Sequence, residues 1–146
     1  MLSETEAAYL AGIIDGEGCV SVGWRLKKYL TPTLQITNTR LELLEWVKAR
    51  CGGSIYSPAE KRPNRKPSHL WTTAGQKALN VLREVRPYIL LKGEQIDLLL
   101  ALPRQSTKER DSLGRIKAKM GPEELAQNRE LVAKMRELNR RGVTCH

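Results

Sequence analysis

An apolar stretch from Ala7 to Ile14 runs without a linker into Asp15, Gly16, Glu17 and Gly18, and a strictly alternating pattern begins at the next residue, Cys19. This junction constrains the fold more than any other feature, because a helix must stop and a half-buried strand must start almost at once. Upstream, Ser3 and Glu6 have the S-x-x-E spacing of a capping box, which predicts a helix from about residue 4 through Tyr9, Leu10, Ile13 and Ile14. Gly16 and Gly18 are expected to end it. Along this helix Ala7 and Ala11, Ala8 and Gly12, and Gly12 and Gly16 are each four apart, so small residues share a face that another backbone can approach closely. The apolar run is too short to span a bilayer and is preceded by acidic rather than basic residues, so a membrane helix and a signal peptide are both excluded and an intracellular protein is expected.

The alternation after the junction places Val20, Val22, Trp24 and Leu26 on one face and Cys19, Ser21, Gly23 and Arg25 on the other, with Lys27 extending the polar face. After a turn containing Thr31 and Pro32, Leu34 and Ile36 alternate with Thr33, Gln35 and Thr37, which predicts a second strand and a long hairpin. Residues 40 to 51 read as a helix stopped by Gly52 and Gly53. A short strand at 54 to 57, a loop rich in Pro and basic residues at 58 to 67, a strand at 68 to 73, and helices at 75 to 86 and 88 to 102 follow. Hairpins rather than crossovers imply an α+β domain: one four-stranded antiparallel sheet with helices on one face. The other face would be polar and basic, presenting Ser21, Arg25, Lys27, Thr33, Gln35 and Thr37. A twisted ribbon of this kind fits the major groove of B-DNA, although a merely solvated sheet face shows the same alternation.

Residues 1 to 102 therefore form the core domain, 103 to 121 a polar and basic connection, and 122 to 146 a C-terminal segment with a helix from Pro122 to Arg141. Pro122 suits its first turn, Glu123 and Glu124 follow, and Gly142 stands where a C-terminal cap belongs. Its apolar stripe is Leu125, Leu131, Val132, Met135 and Leu138, most simply packed on the same domain.

The net charge of +9 suggests a polyanionic partner, and its distribution says more than its total. Residues 1 to 24 hold Glu4, Glu6, Asp15 and Glu17 with no Lys or Arg, and the basic residues then cluster at 25 to 40, 61 to 66 and 104 to 119. A lone acidic pocket beside basic strands and loops suits an enzyme that holds nucleic acid broadly and a cation at one point. Cys19, Cys51 and Cys145 form no C-x-x-C pair, and His69 and His146 are equally scattered, so neither a disulfide framework nor a zinc site is indicated and free thiols are expected.

The stretch LAGIIDGEG, residues 10 to 18, resembles the nine-residue signature of the LAGLIDADG homing endonucleases. Leu10, Ala11, Gly12, Ile14, Asp15 and Gly18 match letter for letter, with Ile13 conservative, Gly16 for Ala and Glu17 for Asp. The element order over residues 4 to 102 is similar to that family's αββαββα fold, whose sheet forms a saddle facing DNA, and PYILLKGEQ (87 to 95) resembles its stretch in which Pro and an aromatic precede a lysine.

The resemblance implies a double-stranded-DNA endonuclease cutting a long pseudo-palindromic target with Mg²⁺ or Mn²⁺. Two motif helices pack side by side in that family, and this chain has one copy, so a homodimer is implied with Ala8, Ala11, Gly12 and Asp15 at the interface. Glu17 would be the metal carboxylate and the Gly16 carbonyl its second ligand. Lys92 would stand near the scissile phosphate, its alternative being a solvated helix lysine. Asn38 falls about where the family carries a polar water-positioning group, with Arg40 the competitor. Base contacts would come from Arg25, Gln35, Arg62 and Arg65, and phosphate contacts mainly from the lysines, Lys66 among them, with Arg40 also at the DNA. Two other activities use the same fold: an RNA maturase assisting intron splicing, and a non-catalytic DNA-binding regulator.

Overall fold

The computed structural model describes residues 1–27, 29–59, 63–102, 112–113 and 121–141. In order, the elements are α1 (Glu4–Glu17), β1 (Gly18–Arg25), β2 (Tyr29–Asn38), α2 (Leu41–Cys51), β3 (Ser54–Tyr56), β4 (His69–Ala74) and α3 (Gln76–Val85). A 3-10 turn at Arg86–Tyr88, then α4 (Gly93–Leu100) and α5 (Pro122–Arg141), complete the described chain. The four strands form one antiparallel sheet in the order β1-β2-β4-β3, and the chain is an α+β domain as expected.

The capping box forms with both arms, Glu6 N donating to Ser3 Oγ at 3.2 Å and Ser3 N to Glu6 Oε2 at 3.1 Å. The helix does not stop at Gly16; it continues through Glu17 and ends at Gly18, whose N–H caps the Ile14 carbonyl. A Cβ at Gly18 would lie 2.8 Å from Ile14 Cα, so glycine is what allows the chain to leave the helix directly into β1.

The hairpin turn lies later than the sequence suggests. Leu26 and Lys27, at φ 54° and 58°, make it, so Lys27 belongs to the turn and not to the strand face. Thr31 and Pro32 lie inside β2, where Pro32 faces Val22. The Pro32 carbonyl accepts from Gly75 N at 2.9 Å, so its nitrogen points to the side where β4 has just ended, and the β1 ladder loses no donor.

The inward face of the sheet carries Val20, Leu34, Ile36 and Trp71, all fully buried under Leu10, Ala11 and Ile14 of α1, Leu44 and Val47 of α2, and Leu82 and Val85 of α3. The Trp71 indole N–H is satisfied by the Gly52 carbonyl at 2.8 Å. Trp24 and Leu26, expected on this apolar face, stay exposed, Leu26 because it belongs to the turn and Trp24 because it lies at the hairpin end beside α5 and outside the packed core. α5 lies against β1 and α4, placing Met135 in the same core, and Asn139 donates to the Val20 carbonyl at 3.1 Å. The Gly142 cap and nearly all of the 103–121 connection lie outside the described residues. Cys51 is a free thiol, whereas Cys19 is disulfide-bonded, against expectation, because local spacing says nothing of cysteines joined from afar.

Candidate active site

Because α1 persists through Gly16, Glu17 is its last residue and presents an exposed carboxylate. The β1–β2 register, Gly18 opposite Ile36, brings the end of β2 back to this point. There the Asn38 Nδ2 donates to Glu17 Oε2. The other side of the Asn38 amide accepts from Arg40 N at 2.7 Å, which orients its amino group toward Glu17. Arg40 itself turns away to Glu42, 3.2 Å distant and as exposed as it is. Of the two polar candidates, Asn38 is therefore the one at Glu17.

Asp15 lies deeper, at 8% exposure, and its carboxylate accepts the backbone N–H groups of Leu90 (2.8 Å), Leu91 (3.1 Å) and Lys92 (3.2 Å). The Lys92 side chain folds back so that its ammonium donates to the carbonyls of Ile14 (2.6 Å), Asp15 (3.3 Å) and Gly18. All three ammonium protons are thus taken by main-chain oxygens at the carbonyl end of α1, where a cation also suits the helix dipole. Lys92 is only 4% exposed; burial pushes its pKa below the ordinary lysine range, and the neighbouring Asp15 charge opposes that fall.

Two expectations change. Lys92 is not a solvated helix lysine, since its ammonium donates to the carbonyls of Ile14, Asp15 and Gly18. The Asp15 carboxylate is taken up within its own chain by the N–H groups of residues 90 to 92, which form a bend ahead of α4, so α4 starts at Gly93 and not near 88.

The Gly16 carbonyl is left out of the Lys92 set and adjoins Glu17 in the last turn. These two oxygens are hard donors at the negative end of a helix, the chemistry a divalent cation takes. Among the described residues no group of three or more His, Cys, Asp or Glu comes together.

Among the described residues no helix covers the far side of the sheet. Ser21 stands opposite Thr33, and Gln35 lies between Cys19 and Thr72 across three strands. Thr37 is paired with Leu70, and Arg25 with Tyr29 at the hairpin end. Arg65 and Lys66 are exposed, while Arg62 falls outside the described residues. Thr72 and Ser54 belong to this face and went unassigned in the sequence, although the period of two counted from buried Trp71 and Thr73 would have placed Thr72.

On α1, Ala8, Gly12 and Gly16 are exposed, but Ala11, at 0% exposure, packs into the protein's own core and cannot meet a partner. Residues the sequence did not single out stand beside the helix end: Leu90 at 88% and Leu91 at 69% exposure, held outward by Asp15. Their signal was a pair of leucines in a stretch of no helical or strand period.

No family model and no curated protein matches the chain. Solved structures do. The chain is similar to the homing endonuclease I-CvuI, solved with its target and calcium, at TM-score 0.67 and 18% identity over 98% of this chain and 87% of that one. It is similar to an archaeal intron-encoded homing endonuclease, I-Vdi141I, solved with DNA, at TM-score 0.65 and 19% identity over 98% and 89% of the two chains. The LAGLIDADG homing endonuclease I-LtrWI, bound to target DNA, superposes at TM-score 0.60 and 18% identity, with 92% of this chain covering 45% of that longer one. No helix among the described residues is long and apolar enough to cross a membrane.

Proposed function

For a chain with the LAGLIDADG homing-endonuclease fold, we propose the activity of a site-specific DNA endonuclease that hydrolyses both strands of a long pseudo-palindromic target as a homodimer. The observation that carries this reading is the Glu17 carboxylate, exposed at the tip of α1 and oriented by Asn38. A solved neighbour bound to its target in the presence of calcium supports duplex DNA as the ligand and a divalent cation at the site.

The protein's own groups divide the work. Ser21, Thr33, Gln35, Thr37 and Thr72, with Arg25 at the hairpin end, face the duplex, where the polar side chains read base edges and the basic ones, with Arg65 and Lys66, hold phosphates. Glu17 and the Gly16 carbonyl would hold Mg²⁺ or Mn²⁺, which when bound activates water and neutralises charge on the phosphate. Asn38 fixes the Glu17 carboxylate by one hydrogen bond and leaves the rest of it open. Lys92 is a positioning residue: it ties off the carbonyls on either side of the ligand pair, so Gly16 and Glu17 are presented in one geometry. One such half-site serves one strand, and the exposed small residues Ala8 and Gly12 with Leu90 and Leu91 give a second copy a surface to pack on.

The test incubates the purified protein and its Glu17→Gln variant with Mg²⁺ and a pool of genomic DNA, and sequences the ends produced. Recurrent double-strand breaks at one near-palindromic sequence, absent with the variant, are expected. Tight duplex binding without cleavage by either protein would overturn the nuclease reading in favour of a DNA-binding regulator.

A further inference from the structure

We propose that a groove between the tip of the β1–β2 hairpin and α5 binds an unpaired nucleotide of a single-stranded nucleic acid, its base on Trp24 and its flanking phosphates on Arg129, Arg136 and Lys27. The inference does not depend on the nuclease reading.

The groove has a volume of about 400 Å³ and is lined by Trp24, Lys27, Arg129, Val132, Ala133 and Arg136. That volume is in the range of small-ligand sites. Its construction is simple. Residues 129, 132, 133 and 136 form one stripe of α5 at helical spacing, with buried Val132 at the floor and the two arginines at the rim. Trp24 closes the other wall, 38% exposed, so its indole is neither core nor fully solvated. Lys27 is carried to the edge by the left-handed turn at φ 58°.

Among the described residues the charges are all of one sign: no carboxylate lines the groove, and neither Arg129 nor Arg136 forms an ion pair. An aromatic wall over an apolar floor with three cations at the rim matches a nucleotide, which has a flat apolar ring and an anionic linker. A duplex fits less well, because its bases are stacked on one another and leave nothing for the indole.

The groove also lies on the opposite side of the sheet from the polar face. Trp24 alternates with Arg25 and shares the parity of Val20 and Val22, whose side chains point to the helices. The polar face can thus hold a duplex while this groove holds a single strand.

The experiment titrates fluorescent oligo(dT) and oligo(U) into the full chain, reading anisotropy and tryptophan quenching, with Trp24→Leu and with Arg129→Gln/Arg136→Gln. Binding that weakens about tenfold or more in each variant, with duplex binding unchanged, is expected, since stacking on one aromatic carries an effect of that order. A preference for oligo(U) or oligo(dT) then tells whether RNA or DNA is the strand held. Both altered sites are at the surface, and the arginine variant stands as the test if Trp24→Leu does not fold. Undiminished binding in the variants, or displacement of the oligonucleotide by saturating duplex, would overturn the proposal. Polyglutamate that binds more tightly than the oligonucleotides and needs the same three residues would also overturn it, assigning the groove to an acidic peptide.

Discussion

Asp15 and Lys92 close on each other twice: the Asp15 carboxylate accepts the Lys92 backbone N–H at 3.2 Å, and the Lys92 ammonium donates to the Asp15 carbonyl at 3.3 Å. This reciprocal pair joins the end of the motif helix to the link before α4, residues that are 77 apart in sequence. The motif aspartate is a clamp, whereas the glutamate two residues on carries an exposed carboxylate bonded to Asn38.

Asp15→Asn tests the clamp. An amide keeps one acceptor oxygen but turns its amino group toward N–H donors, so the three bonds to residues 90 to 92 cannot all survive. The expected cost is about 2 kcal/mol in urea unfolding, with faster amide exchange at Leu90 to Lys92. A variant as stable as the parent, with those amides still protected, would show that the carboxylate is dispensable there.

Lys92→Met separates positioning from phosphate contact. The thioether has nearly the reach of the lysine but no protons, leaving the Ile14, Asp15 and Gly18 carbonyls without their donor. Destabilisation of about 2–4 kcal/mol is expected even without DNA or metal, because buried polar groups lose their partner. Loss of cleavage with the unfolding midpoint unmoved would instead mean that Lys92 acts on the substrate.

Gly12 and the two leucines report on assembly. Nothing lies within 4 Å of a Cβ built at Gly12, so within one chain Gly12→Ala is free of clashes. Its better helix propensity predicts a gain of about 1 kcal/mol for the monomer, together with weaker self-association if two backbones meet there. Leu90→Glu with Leu91→Glu should leave the fold intact and give a monomer by light scattering. A dimer that survives all of these substitutions would place the interface elsewhere.

Acid stability follows from Glu6. Its pKa is held below the ordinary value near 4.5, first by the backbone N–H of Ser3 and then by the Arg50 side chain. A carboxyl whose folded pKa is lowered contributes stability that is present above its unfolded value and lost as pH falls through the folded one. Thermal melts from pH 6 down to 3 should therefore fall less steeply for Glu6→Gln than for the parent. Parallel curves would remove Glu6 from the acid limb.

Much of the fold was legible because it is written in short-range signals. Ser3 and Glu6 announce the start of α1, Gly52 and Gly53 end α2, and the alternation about Leu34 and Ile36 identifies a strand. Where local signals competed, reading failed: Thr31 and Pro32 look like a turn, but the turn formed at Leu26 and Lys27, and proline was accommodated where β4 runs out. The start of α4 was misplaced for a different reason. Residues 88 to 92 are compatible with a helix in sequence, but the N–H groups of Leu90, Leu91 and Lys92 are taken by the Asp15 carboxylate, arriving from the other end of the core, and the segment bends instead.

The candidate site divides in the same way. Sequence alone determined that Glu17 follows an apolar helix among glycines, that polar residues share one face of a sheet, and that the basic residues cluster only after an acidic first 24, because each of these depends on the order and period of neighbouring residues. Tertiary structure decided which carboxylate is buried and which exposed, that Asn38 and not Arg40 meets Glu17, and that Ala11 faces inward while Leu90 and Leu91 face out. Those outcomes depend on hydrogen bonds and packing between segments far apart in the chain, whose geometry exists only after α1, the hairpin and the α3–α4 link have come together.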